Sequence, residues 1–151
     1  MKVRDVMTKN VVTIGADASV AEAAKKMKQA DVGSVVVLDH NAVKGIVTDR
    51  KIVTSCIAEN KDPGREHIGN IASGHIITCN EDSDMREALS TLNKNKIRRC
   101  PVVNDKKELV GMLSVVDVAR EMKYCMDYLL DDIARSAHGA EHHEASRPVL
   151  R

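Results

Sequence analysis

Polar and apolar positions alternate along the chain in one order, and the order occurs twice. Val20, Ala23, Ala24 and Met27 recur at helical spacing, as do Met85, Ala88, Leu89 and Leu92, so each run predicts a helix with one apolar face. Methionine in such a stripe reads as core rather than as a ligand box. Ser19 with Glu22 and Asp84 with Glu87 stand immediately before these runs. Both pairs predict capping boxes, in which the first side chain takes a free helix amide and the glutamate reaches back to the cap. After each helix, two apolar runs flank a polar turn: SVVVL, DHNA, VKGIV in the first copy and CPVV, NDKKE, LVGML in the second. Each set predicts a hairpin. A short strand before each helix, VTI (12–14) or ITC (77–79), must return parallel to the hairpin by a right-handed crossover. Each copy is therefore a βαββα unit with its helices on one sheet face.

Sliding the chain against itself by 65 residues lays VAEAAKKM (20–27) over MREALSTL (85–92) and SVVVLD (34–39) over RCPVVN (99–104). This is a tandem duplication. Neither unit can cover its second sheet face alone. The expected fold class is α+β, two βαββα repeats packed sheet to sheet about a pseudo-twofold axis, with two related clefts. Repeat 1 takes residues 1–60 and repeat 2 takes 68–122, joined by the polar loop KDPGREH at 61–67. Residues 123–151 form a C-terminal helix extension and a polar tail.

Composition narrows the function. The 151 residues are 43% apolar, but Phe and Trp are absent and Tyr124 and Tyr128 are the only aromatic residues. The core must be aliphatic. A formal charge of +1 from 23 basic and 22 acidic residues supplies no field for nucleic acid, and base stacking is nearly unavailable. Nucleic acid is not expected as the main partner. Cys56, Cys79, Cys100 and Cys125 lack paired CxxC spacing, which points to reduced thiols in a cytoplasmic protein. The stretch MKVRDVMTKN has no apolar leader core, and no run approaches the roughly 18 residues of a membrane span. No membrane association is expected.

VRDVMT leading into VVTI, then DVGSVVVLD and GIVTDRKIV, and again IRRCPVVND with GMLSVVDVA, resemble a tandem pair of cystathionine beta-synthase (CBS) domains, a Bateman module. The resemblance covers residues 1 to about 122. It implies clefts that bind adenosine-containing ligands such as AMP, ADP, ATP, NAD or S-adenosylmethionine, with no obligatory cofactor. It also implies that Asp117, the acid of the GhhSxxD motif, accepts the ribose hydroxyls, for which a carboxylate has two acceptor oxygens. Ser114 stands at the expected helix start, where hydroxyl and amides meet a phosphate or ribose oxygen. The plainer reading makes Ser114 an N-cap and Asp117 a favourable first-turn charge. Both roles are compatible.

The resemblance places Arg98 and Arg99 at ligand phosphates. Because adjacent strand residues point to opposite sides, only one is expected to enter the adjacent cleft directly. Ile77, Thr78 and Cys79, with Cys100 and Pro101, match the family's adenine slot, and the two thiols read as buried and inert. Repeat 1 departs from the pattern: Lys51 replaces the acid, and Gly33 with Ser34 replaces the arginine pair. Thr48, Arg50 and Lys51 are left as a possible second cleft, expected to be degenerate, with Lys51 a surface charge or a phosphate contact. The expectation is one adenosyl site per chain, in repeat 2.

From Val115 a helix is expected to about Arg135, with Val118, Met122, Cys125 or Met126, Leu129 and Ile133 forming a stripe. Packing on the parent module or on a second chain would cover it, and the resemblance favours a homodimer. His138 and His142 are spaced i to i+4, yet Gly139 weakens the helix there and carries no metal reading. No catalytic constellation is visible. The expected function is a non-catalytic regulatory module with a small-molecule adenosyl ligand and an unidentified protein target. The alternative is a ligand-free structural oligomerisation module.

Overall fold

The computed structural model describes residues 1–72 and 74–144, with side chains as far as Ala137. It divides into two compact units, Met1–Val115 and Val116–Arg151. In the first unit, β1 (Thr13–Gly15), α2 (Val20–Ala30), β2 (Ser34–Asp39) and β3 (Ala42–Thr48) follow a four-residue α1 (Val3–Val6). The second copy repeats this as α4 (Ile68–Ile71), β4 (Cys79–Asn80), α5 (Met85–Lys94), β5 (Arg99–Val103) and β6 (Leu109–Ser114). Between them, α3 (Asp49–Ile52) continues as a π-helical turn over Val53–Ile57.

Each three-stranded sheet pairs its first two strands in parallel and its last two antiparallel. That is the βαββα order read from the sequence. The duplication reaches fine detail: the bulge between Val37 and Leu38 recurs between Val102 and Val103. The left-handed residue ending α2, Asp31 (φ 52°), recurs as Lys96 (φ 54°) after α5. In the first hairpin, His40 and Asn41 both have positive φ, as a two-residue turn matching strand twist requires.

Ser19 completes its capping box: its Oγ accepts from Glu22 N–H, and Glu22 Oε2 accepts from Ser19 N–H. At α5 the expected box is replaced by a simple cap. The Asp84 carboxylate accepts from the Arg86 amide at 2.8 Å, one position earlier than a box requires. With the cap bond made to the second helical residue rather than the third, the reciprocal pair of bonds that defines a box is not set up.

The repeats are interlocked, which the periodicity did not reveal. Val20 N–H donates to Glu66 O at 2.9 Å, and Met85 N–H to Met1 O at 3.0 Å. Ile68 and Gly69 donate to Ala18 and Ala16 carbonyls, just as Val3 and Arg4 donate to those of Ser83 and Glu81. Each of these six bonds has its counterpart one repeat length away. The leader of each repeat is thereby stitched to the strand–helix corner of the other. Accordingly α1 packs on β6, and α4 packs on β2 and β3.

Ile68 and Ile71, leader residues of repeat 2, lie in the core of repeat 1 with Val20, Ala23, Met27, Val35, Val37 and Val47. Two glycines permit the approach. A Cβ on Gly69 would meet the Ala16 carbonyl at 2.9 Å, and one on Gly111 would meet Met7 Sδ at 2.5 Å. The backbone bonds between Thr8 and Met112, both 2.9 Å, also cover part of the β6 edge. Lys2 and Arg4 pair with Asp82 at the surface, and these two cations hold the Asp82 carboxyl below its ordinary range.

The second unit is helical. α6 runs from Val115 to Glu144, beyond the expected stop near Arg135. One helical glycine, Gly139, costs about 1 kcal/mol relative to alanine and does not by itself end a helix. The side chains of His138 and His142 lie outside the described residues, and the metal reading with them. Among the described residues, no three His, Cys, Asp or Glu side chains gather as a metal site. No helix there is long and apolar enough to cross a membrane.

Candidate functional site

Within Met1–Val115 a cleft of about 600 Å³ is lined by residues of both repeats. That is within the usual range for small-molecule sites. Repeat 1 contributes Gly45, Ile46 and the corner where β3 enters α3, with Thr48, Asp49, Arg50 and Lys51. Repeat 2 contributes His75, Ile76 and Ile77 from the segment before β4, and Ile97, Arg98 and Arg99 at the entry to β5.

The corner is shaped by local bonds. Thr48 Oγ1 accepts from the Lys51 amide at 3.1 Å, and Asp49 Oδ1 accepts from Arg50 N–H at 2.7 Å. These bonds satisfy two of the free amides at the start of α3. Asp49 N–H in turn donates to the Gly33 carbonyl, and at the matching place Val115 N–H donates to Arg98 O, each at 3.0 Å. Each corner is thus tied to the start of its own hairpin.

Arg99 Nη1 donates to Ser34 Oγ at 2.9 Å, a bond between residues one repeat length apart. This contact spans the two repeats. The replacement of an arginine by Ser34 in repeat 1 therefore has a structural use: a second arginine there would face the first.

Both arginines line the same cleft, contrary to the expectation that only one would enter. The alternation of side chains begins with the strand, and β5 begins at Arg99. Arg98 lies in a bend just before it, where alternation does not apply.

The expected partition into two clefts changes as well. Ile77, Arg98 and Arg99 were assigned to one cleft and Thr48, Arg50 and Lys51 to another, yet all six line this one. The interlocking of the repeats sets the strand entry of one against the helix corner of the other. Thr78, Cys79, Cys100, Pro101 and Ser114 are not among its lining residues. Thr78 is half-buried before β4, and Pro101 is buried within β5.

Ser114 ends β6 half-buried. Asp117 belongs to the second unit, in the first turn of α6. Its side chain is 15% exposed and pairs with Arg120 at 3.4 Å. Gly45, Ile46, Asp49, His75, Ile76 and Ile97 line the cleft without having been singled out in the sequence. Ile76, beside Ile77, was within reach of the strand pattern. The others are lining residues only because of tertiary approach.

The electrostatics of the cleft are one-sided. Arg50, Lys51, Arg98 and Arg99 are exposed on its wall, with Asp49 as the single carboxylate and four half-buried isoleucines between them. Such a wall fits an anion carrying an apolar body. Arginine's planar fork suits phosphate oxygens in particular.

Cys79 and Cys100 are buried neighbours, with sulfurs 3.0 Å apart. The hydrogen bond they share and burial push the Cys100 thiol far up, while the same bond lowers Cys79. Cys56 is also buried, and Cys125 is exposed. Ellman's reagent should therefore titrate one thiol per native chain quickly and four after denaturation. Two or more fast thiols in native protein would contradict the burial.

The family model for the CBS domain matches residues 3–57 and again residues 68–124. The chain belongs to the CBS domain family. The CBS domain-containing protein YhcV of Bacillus subtilis is 32% identical over 117 residues, covering 78% of this chain and 82% of its own. Among solved structures, the CBS domain pair of protein MJ0100, in complex with 5-methylthioadenosine and S-adenosyl-L-methionine, is 27% identical with a TM-score of 0.71. The match spans 82% of this chain and 96% of that one. The hexameric CBS-CP12 protein of bloom-forming cyanobacteria is 26% identical with a TM-score of 0.70, over 97% of this chain and 87% of its own. The two CBS matches lie on the two copies of the duplication, and α4 is included with the second.

Proposed function

We propose that this CBS pair is a non-catalytic regulatory module that binds an adenosine phosphate in the cleft between Thr48–Lys51 and Arg98–Arg99. The observation that carries the reading is the charge of the lining: four cationic side chains against one acid around a cleft of about 600 Å³. Phosphates would sit on Arg98, Arg99, Arg50 and Lys51, and the adenine among Ile46, Ile76, Ile77 and Ile97. The MJ0100 pair, with its two adenosyl ligands, supports the nucleoside part. The cations favour a phosphorylated ligand over S-adenosylmethionine, whose sulfonium they would repel. Binding would alter the geometry of a homodimer or its affinity for a protein target.

Calorimetry with AMP, ADP, ATP, NAD and S-adenosylmethionine tests this. The expected order puts the polyphosphates first, with weakening at high salt as surface charge pairs require. No heat with any of them at millimolar concentration rejects the reading.

A second reading centres the site on Asp117, whose largely covered carboxylate stands three residues after Ser114. Lys51→Ala and Asp117→Ala separate the two. Loss of affinity in Lys51→Ala supports the cationic cleft, and loss in Asp117→Ala alone moves the site to repeat 2. A ligand-free oligomerisation module predicts no thermal shift with any nucleotide, whereas a ligand at 100 times its Kd adds about 2.7 kcal/mol by mass action.

A further inference from the structure

Cys79 and Cys100 lie outside the cleft lining, yet the fold brings their sulfurs together. Cys79 pairs with Val102 in the register of β4 on β5, and Cys100 stands two residues before Val102 on the same strand. Residues two apart share a face of the sheet, so the two side chains meet diagonally across the ladder. Their sulfurs are 3.0 Å apart. A disulfide holds its sulfurs at about 2.05 Å, so an approach of about 1 Å by side-chain rotation would close one.

The duplication supplies an internal control. One repeat length earlier the same two places hold Ile14 and Val35, both buried in the core of repeat 1. Hydrocarbon side chains therefore suffice to fill these places, and packing alone does not call for two thiols. Cys56 shows the contrasting case, a buried thiol whose recorded neighbour is the Lys61 carbonyl at 3.6 Å.

The two sulfurs are not equivalent. Cys100 is fully buried, while Cys79 keeps 5% of its surface open, two residues after Ile77 in the cleft wall. The bond they share favours the Cys79 thiolate, against burial and the nearby Glu87 carboxylate. A thiolate with some access is the form that attacks an oxidant.

We propose that Cys79 and Cys100 form a dithiol that hydrogen peroxide closes to a disulfide, with Cys79 the attacking sulfur and Cys100 the resolving one. The Cys79 thiolate attacks one peroxide oxygen, the O–O bond breaks, and Cys79 becomes a sulfenic acid. The hydroxide released takes up the proton lost from Cys79 and forms water. The Cys100 sulfur then attacks the Cys79 sulfur, the S–O bond breaks, and the departing hydroxide leaves with the Cys100 proton as a second water. Two thiols lose two electrons, and one peroxide gains them. The bond would fasten β4, which pairs with β5 through Cys79 and Asn80, to the strand that begins at Arg99. Its formation does not depend on the nucleotide reading, since it is measured without ligand.

The full chain carrying Cys125→Ser tests this, because the three cysteines it keeps are all buried. After millimolar hydrogen peroxide, catalase and denaturation, Ellman's reagent should count one thiol instead of three, and dithiothreitol should restore three. Proteolysis should yield the Cys79 and Cys100 peptides joined within one chain until reduced. Cys100→Ala should leave Cys79 as a sulfenic acid that dimedone labels, whereas Cys79→Ala should leave Cys100 unmodified. The thiol count uses the unaltered pair, so a variant that misfolds does not blunt the test. Three thiols after treatment, a loss that dithiothreitol does not restore, or a disulfide that includes Cys56 or joins two chains, overturns the proposal.

Discussion

Arg98→Ala combined with Arg99→Ala should lower the affinity proposed for an adenosine polyphosphate by about 100-fold, and isothermal calorimetry with ATP measures it. Hydrogen bonds to charged groups contribute roughly 1.5–3 kcal/mol each, and two such losses at the lower end give that factor. The arginines act from one wall, since both line the cleft. Their loss leaves Arg50 and Lys51 beside Asp49, so the residual field is weak. The salt dependence of binding should fall in the variant along with its affinity, because fewer ion pairs remain to be screened. Arg99 has a second duty, its 2.9 Å bond to Ser34. Ser34→Ala removes that bond and keeps the cation, so a large affinity loss in Ser34→Ala would mean that the double variant acts through structure. An unchanged affinity in the arginine variant would dismiss the cationic cleft as the phosphate site.

Ile68→Ala should destabilise the chain by about 2–5 kcal/mol, the usual cost of truncating a fully buried isoleucine. Ile68 is completely buried and, with Ile71, packs in the core of the other repeat. Against a typical total of 5–15 kcal/mol this is a large fraction. The form of the transition carries as much information as its midpoint. Because the leaders are exchanged through matched backbone bonds, damage to the repeat 1 core through a repeat 2 residue should weaken both at once. Chemical denaturation should show one transition at a lower midpoint. Two separated transitions would show that the repeats fold independently, contrary to the interlocking. Val53→Ala, at a side chain 56% exposed, should leave the midpoint almost unchanged.

Helical and strand periods, the capping residues and the repeat offset are local or translational properties, so the sequence by itself determined the βαββα order, the duplication and the positions of the two hairpins. Ser19 with Glu22 forms its box from residues three apart, and no distant contact is needed. The basic pair at Arg98 and Arg99 was also legible as a cationic feature, because residue type travels with the chain, and both residues line the cleft. The membership of the cleft was not. Assigning Ile77, Arg98 and Arg99 to one site and Thr48, Arg50 and Lys51 to another treated each repeat as the owner of its cleft. The leader exchange makes every corner a product of both repeats, and nothing in the period of a sequence reports which strand entry will face which helix start. Alternation similarly misjudged Arg98, because a bend precedes β5. Local pattern specifies elements through bonds between near neighbours. The site rests on contacts such as Arg99 to Ser34, 65 residues apart, and only the tertiary structure decides those.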